Sequence, residues 1–133
     1  DRRLPLIEAS VSFVMSLHGR RNAGECARVL APSGFLFVAV PAAHDLIELR
    51  EFIQGVAAER AKVDALLAEH EPFFTPVEQF VAQEQHTLNR ESLTDLLQST
   101  YRGARTSARG RVASLSTMDV TVASDCVLFQ RRA

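Results

Sequence analysis

His18-Gly-Arg-Arg-Asn22 places an imidazole, two guanidinium groups and a carboxamide in one short stretch. It follows the apolar run Ser10 to Leu17 (SVSFVMSL) and precedes a helix start. In open α/β sheets ligands bind just outside the carboxyl ends of strands, so this is the best-placed polar cluster in the chain. An imidazole exchanges protons near neutral pH, and a guanidinium pairs with phosphate through a planar fork of N–H donors. A solvated turn accounts for the same residues. Pro41 to Asp45 (PAAHD) follows a second apolar run and brings His44 to the same kind of place. An ordinary cap with an exposed histidine is the equal alternative there.

Other chemistry is thinner. The sequence has no G-x-S-x-G elbow, no P-loop and no G-x-G-x-x-G turn. His70 and His86 lack the spacing of metal ligands and read as surface or edge residues. Cys26 and Cys126 lie far apart, each within an apolar pattern, and read as buried free thiols. The arginines between Arg102 and Arg111 would suit a phosphate backbone, and a solvated loop explains them equally well.

The elements that must position these groups follow from periodicity. Ser10 to Leu17 joins β-branched and aromatic residues without a breaker and reads as a strand. Asn22 and Glu25 form a capping-box-like pair at the start of a helix, whose buried stripe is Cys26, Val29 and Leu30. Pro32 and Gly34 end it, and Phe35 to Val40 (FLFVAV) is apolar on both faces, as in a central parallel strand covered by helices on both sides. Asp45 with Glu48 reads as the cap of a long helix, bent near Gly55 and reaching His70. Val77 to Leu88 alternates like a strand with one wet face. Asn89 caps a helix with the stripe Leu93, Leu96 and Leu97. Residues 101–117 read as a loop with a short helix over Arg109 to Leu115, and Met118 to Arg131 as a last strand bulged around Ser124 and Asp125. The sum is an α/β sheet with two parallel strands first and an antiparallel pair at the end.

At 133 residues and 47% apolar composition, the chain fits one domain with a real core. The formal charge of -1 conceals a bias, since nearly all of the 15 basic residues are arginine and several cluster. Net charge thus says nothing about nucleic acid, and the clustered arginines suit a nucleic-acid partner and a solvated surface alike. No run of about 18 apolar residues is present to span a membrane, and without a signal peptide the cytoplasm is expected. The chain opens with Asp1 rather than methionine, which points to a piece of a longer protein.

LPLIEASVSFVMS followed by ECARVLAPSGFLFVAVP resembles the second half of class I S-adenosylmethionine (SAM) dependent methyltransferases. In that family a Leu-Pro turn, a fourth strand, an E-x-x-R-V-L-x-P-G-G helix and turn, and an apolar fifth strand follow in this order. Ser12 stands where the fourth strand usually carries an acidic residue, and Ser33-Gly34 where Gly-Gly is usual. Within the family, His44 to Arg50 (HDLIELR), Leu96 to Tyr101 (LLQSTY) and the ending Phe129-Gln-Arg131 are most similar to the 23S ribosomal RNA guanine-N1 methyltransferases.

The resemblance implies a partial Rossmann-like sheet, strands four to seven with the last antiparallel, across residues 1–133. It implies methyl transfer from SAM to guanine N1 of ribosomal RNA by the parent protein. Cofactor contact would come from Ser16, Leu17 and His18, with Asp1 near the usual place of the acidic residue that meets adenine. Substrate contact would come from Arg20, Arg21, Asn22 and His44. The family often has Ala-Pro where Gly19-Arg20 stands, and no proton acceptor is assigned. The Gly-rich turn that holds most of the cofactor, and the family's zinc module, would both precede this chain, so no metal is expected in it. The piece alone is expected to bind SAM weakly or not at all. Two alternatives stand beside this reading: a small-molecule methyltransferase, and a non-catalytic interaction module that forms a homodimer through an unpaired first strand.

Overall fold

The structure, a computed structural model, describes residues 3–54, 63–100 and 116–133. Asn22 starts the first helix as read from the sequence, its Oδ1 accepting from the Glu25 N–H at 3.1 Å. That bond satisfies one of the amides a helix leaves open at its start. The elements are β1 (Val11–Leu17), α1 (Ala23–Val29), β2 (Leu30–Pro41), α2 (Ile47–Gln54), α3 (Val63–His70), β3 (Phe74–Asn89), α4 (Arg90–Thr100) and β4 (Thr117–Arg131). The four strands form one sheet in the order β1-β2-β4-β3. β2 runs parallel to β1 and antiparallel to β4. This is the mixed α/β sheet expected from the sequence. The segments 55–62 and 101–115, with the expected bend at Gly55 and the short helix from Arg109, lie outside the described residues.

The chain divides into two compact units. In the first, residues 1–43, 60–82 and 124–133, one face of the sheet meets α1 and α3. Cys26, Ala27 and Leu30 pack with Leu36 and Val38 of β2, Leu66 of α3, Phe74 of β3, and Val127 and Phe129 of β4. Each large side chain so buried contributes about 1.5–3 kcal/mol. Arg28 ties the start of the chain to α1, through the Glu25 carboxylate and the carbonyls of Leu6 (3.1 Å) and Leu4 (3.0 Å).

The opposite face corrects the expectation that β2 is covered on both sides. Leu36 and Val38 are fully buried, but Phe35 on the other face is 36% exposed. The β1 residues on that face, Phe13 beside Phe35, Met15 beside Phe37 and Leu17 beside Ala39, are more open, at 48%, 56% and 57% exposed. β1 is the edge strand, and among the described residues nothing pairs with its outer side. Phe37 and Phe80 meet with ring centroids 6.1 Å apart.

β2 also shows why glycine follows Ser33. The β1–β2 register jumps from Val11↔Leu30 to Phe13↔Phe35, so the four residues Ala31 to Gly34 lie opposite Ser12 alone. Ser33 has a φ of 63°. A Cβ on Gly34 would lie 2.9 Å from the Ala31 carbonyl oxygen and 3.1 Å from that of Ser12. Both neighbours are backbone and cannot step aside. Gly34→Ala should therefore cost about 1–3 kcal/mol of stability, read as a lower urea midpoint with an unchanged slope; an unchanged midpoint would mean that the turn is looser than described.

The second unit, residues 44–59 and 83–123, has its own core of Leu46, Leu49, Leu93, Leu97 and Val120. Asn89 caps α4 as expected, accepting from the Ser92 N–H at 2.8 Å. Asp45 is not the helix cap that its spacing to Glu48 suggests. Leu46 intervenes with a φ of 53°, and α2 starts at Ile47. The Asp45 carboxylate instead accepts from the Ala123 N–H at 2.8 Å, and Glu48 accepts from the Thr121 N–H and hydroxyl at 2.9 and 2.6 Å. β4 runs without the expected bulge, since Ser124 and Asp125 pair in register with Pro41 and Val40.

Candidate functional site

The carboxyl end of β1 opens onto a cleft of about 1100 Å³ in the first unit. Its lining includes Ser16, Leu17, Gly19, Arg20, Arg21 and Asn22, with Met15, Cys26, Glu25 and Glu69 nearby. Five of the residues singled out in the sequence, Ser16, Leu17, Arg20, Arg21 and Asn22, are thus brought together on one wall.

The loop has a defined shape. His18 has a φ of 52°, and its N–H donates to the Ala39 carbonyl at 2.9 Å. A left-handed conformation is uncommon for a residue with a Cβ, and here it turns the chain at the strand end. The imidazole Nε2 lies 2.7 Å from Ser124 Oγ, so the ring reaches β4 and is not part of the cleft lining. Asn22 serves α1 as its cap. Arg21 is half-buried, its Nη1 donating to the Gly19 carbonyl at 3.2 Å and its Nε to His70 Nε2 at 3.3 Å. His44 belongs to the second unit, where its Nε2 lies 2.7 Å from Gln83 Oε1. Asp1 lies outside the described residues.

His70 is the residue that the sequence reading misplaced. Expected at the surface, it is 0% exposed. Its ring stacks on Phe129, with centroids 4.8 Å apart and planes 16° apart. Desolvation by burial pushes its pKa below the ordinary imidazole value, the Leu66 carbonyl opposes this, and Arg21 adds to the lowering. The ring is therefore neutral at pH 7. The sequence held a signal for this. His70 follows Leu66 by four residues, on the same helix face as the buried stripe.

Neither cysteine is poised as a nucleophile. Burial raises the pKa of both Cys26 and Cys126, which keeps them as thiols at neutral pH. Among the described residues, no group of three or more His, Cys, Asp or Glu could hold a metal ion. Among the same residues, no helix is long and apolar enough to cross a membrane.

Comparison with solved structures places the fold. A proposed methyltransferase of Bacillus halodurans superposes with a TM-score of 0.58, at 14% identity over 98% of this chain and 68% of that one. A SAM-dependent methyltransferase of Methanosarcina mazei superposes at 0.51, with 10% identity over 96% of this chain and 62% of that one. The chain has the class I methyltransferase fold. No protein-family model matches it. In sequence it is similar to a Micromonospora griseorubida protein proposed to be a 23S rRNA (guanine-N(1)-)-methyltransferase, with 33% identity over 98 residues. That match takes in 71% of this chain and 32% of the relative, so the chain spans about a third of the relative's length. In this methyltransferase fold, the cleft at the end of β1 lies where an open α/β sheet binds its ligand.

Proposed function

We propose that the chain is the carboxyl-terminal part of a SAM-dependent methyltransferase that acts on guanine N1 of 23S ribosomal RNA, and so works in the cytoplasm. The observation that carries this is the sequence match to the Micromonospora protein. The arginine-bearing cleft in the same fold adds support, since Arg20 and Arg21 offer the donors that a phosphate backbone needs. A small-molecule acceptor would have less use for paired arginines.

The residues present fit one wall of a SAM site. Met15 and Leu17 give that wall apolar surface, and Ser16 gives it a hydroxyl. The sequence has no Gly-rich phosphate-type turn to close the other side. SAM supplies an electrophilic methyl group on a sulfonium centre, so the protein's task is alignment more than covalent chemistry. The β1 end and Asn22 fix the loop that carries the arginines. Arg20 and Arg21 hold the RNA backbone, and the target guanine must leave its stack to present N1.

One observation favours a second reading. The open apolar row Phe13, Met15 and Leu17 on an unpaired edge strand suits an interaction module that associates through β1.

The deciding experiment is methyl transfer from SAM to unmodified ribosomal RNA by the full-length gene product, read by reverse transcription. Methylation at N1 blocks the Watson–Crick edge, so a new stop at a single guanine is expected. The chain alone should give none. Absence of both stop and label with the full-length protein rejects the RNA reading, and label in a small-molecule acceptor would replace it.

A further inference from the structure

His70 is a buried polar group with no part in aligning SAM or opening the guanine stack. His70 Nδ1 lies 2.8 Å from the Leu66 carbonyl oxygen, an atom that only accepts, so Nδ1 carries the hydrogen. In the neutral ring the lone pair is then on Nε2, the atom that faces Arg21 Nε at 3.3 Å. Phe129 stacks on the ring and Phe74 lies against it with centroids 5.9 Å apart, which fixes the imidazole plane. The guanidinium is held at Nε by this lone pair and at Nη1 by the Gly19 carbonyl. An arginine fixed by two bonds loses less freedom when it takes up an anion. Arg21 lines the cleft, and so does Glu69, the residue just before His70.

A histidine acceptor behind an arginine is an unusual choice. A carboxylate there would hold the guanidinium more strongly, but it would also neutralise it. A neutral imidazole orients the arginine and leaves its full charge for a ligand.

We infer that His70 is a positioning residue that holds Arg21 as a phosphate-binding arm of the cleft, its ligand a backbone phosphate of the substrate RNA. This rests on the RNA reading above. The test uses the full-length protein and a fluorescein-labelled hairpin of 23S ribosomal RNA, with affinity measured against salt. Arg21→Ala should weaken binding about tenfold and lower the salt slope by about one. His70→Phe keeps an aromatic ring against Phe129 and should weaken binding about fivefold through the loss of one acceptor bond. Adding Arg21→Ala to it should cost little more than Arg21→Ala alone. His70→Gln, whose Oε1 can stand in for Nε2, should recover most of the affinity.

Native affinity in a folded His70→Phe protein, or losses that simply multiply in the double variant, would overturn the inference. Should His70→Phe not fold, the tautomer of His70 read by 15N NMR decides: hydrogen on Nδ1 sustains the inference and hydrogen on Nε2 overturns it. Should the native protein not bind the hairpin, the RNA reading fails by itself. Inorganic phosphate then tests the arm: a shift of the Arg21 Nε–H resonance that is absent from His70→Phe protein sustains it as an anion site, and no shift in the native protein overturns it.

Discussion

Phe129→Ala is expected to cost about 3–5 kcal/mol, as large a loss as truncation of a fully buried aromatic ring brings. Phe129 is fully buried, paired with Leu36 in the register of β2 and β4. It also stacks on His70 and meets Phe74 with centroids 5.8 Å apart. Truncation would leave a cavity between strand and helix that these rings can only partly fill. Domains of this kind have only about 5–15 kcal/mol of stability in total, so the variant should sit near the limit of folding. Urea unfolding followed by far-ultraviolet circular dichroism measures the loss. Phe13→Ala is the matched comparison, since the same side chain is lost from an open site. It should move the midpoint by no more than about 0.5 kcal/mol in free energy. A Phe13→Ala loss as large as that of Phe129→Ala would show that the β1 face is covered in solution, as the interaction-module reading requires.

What the sequence revealed about the fold was mostly local. The Asn22 cap, the β2 run and the α4 stripe are written in residues close to one another, where a side-chain oxygen or an apolar period acts over one turn. The pattern of Asp45 and Glu48 had the same local form and a different outcome. Both carboxylates turn to β4 amides more than 70 residues away, as the sequence separations of 78 and 73 record. A spacing rule cannot see a partner at that distance. The two apolar faces of Phe35 to Val40 told what the strand is able to bury, and not what this chain supplies to cover it. The bulge expected around Ser124 and Asp125 does not form: antiparallel pairing continues through both, because the backbone makes the ladder bonds whatever the side chains are. In the site, the loop from Ser16 to Asn22 was legible because strand ends and helix starts are. The support behind Arg21 was not, because it comes from His70, 49 residues further along the chain at the end of α3.

Glu48→Ala should cost about 2–4 kcal/mol. Its two carboxylate oxygens take the Thr121 N–H and hydroxyl, and Thr121 is only 4% exposed. Truncation would leave both donors in a nearly dry place without an acceptor. Glu48→Gln keeps one acceptor oxygen and should cost about half as much. The acid response gives an independent check. Desolvation raises the Glu48 pKa, but the bonds from the Thr121 hydroxyl and the backbone N–H groups outweigh it and hold it below the ordinary carboxylate value. A depressed folded pKa means that the unfolded chain takes up the proton first as pH falls. The Glu48 contribution should thus be complete above about pH 5 and be lost as pH falls through the folded value. The gap in stability between the native protein and Glu48→Ala should narrow over the same range. Thr121→Val supplies the cycle: if the pair acts as described, it should cost far less in the Glu48→Ala background than in the native one. Additive losses and a gap that does not change with pH would mean that Glu48 is free to take part in chemistry elsewhere. Coupled losses would instead assign it to holding β4.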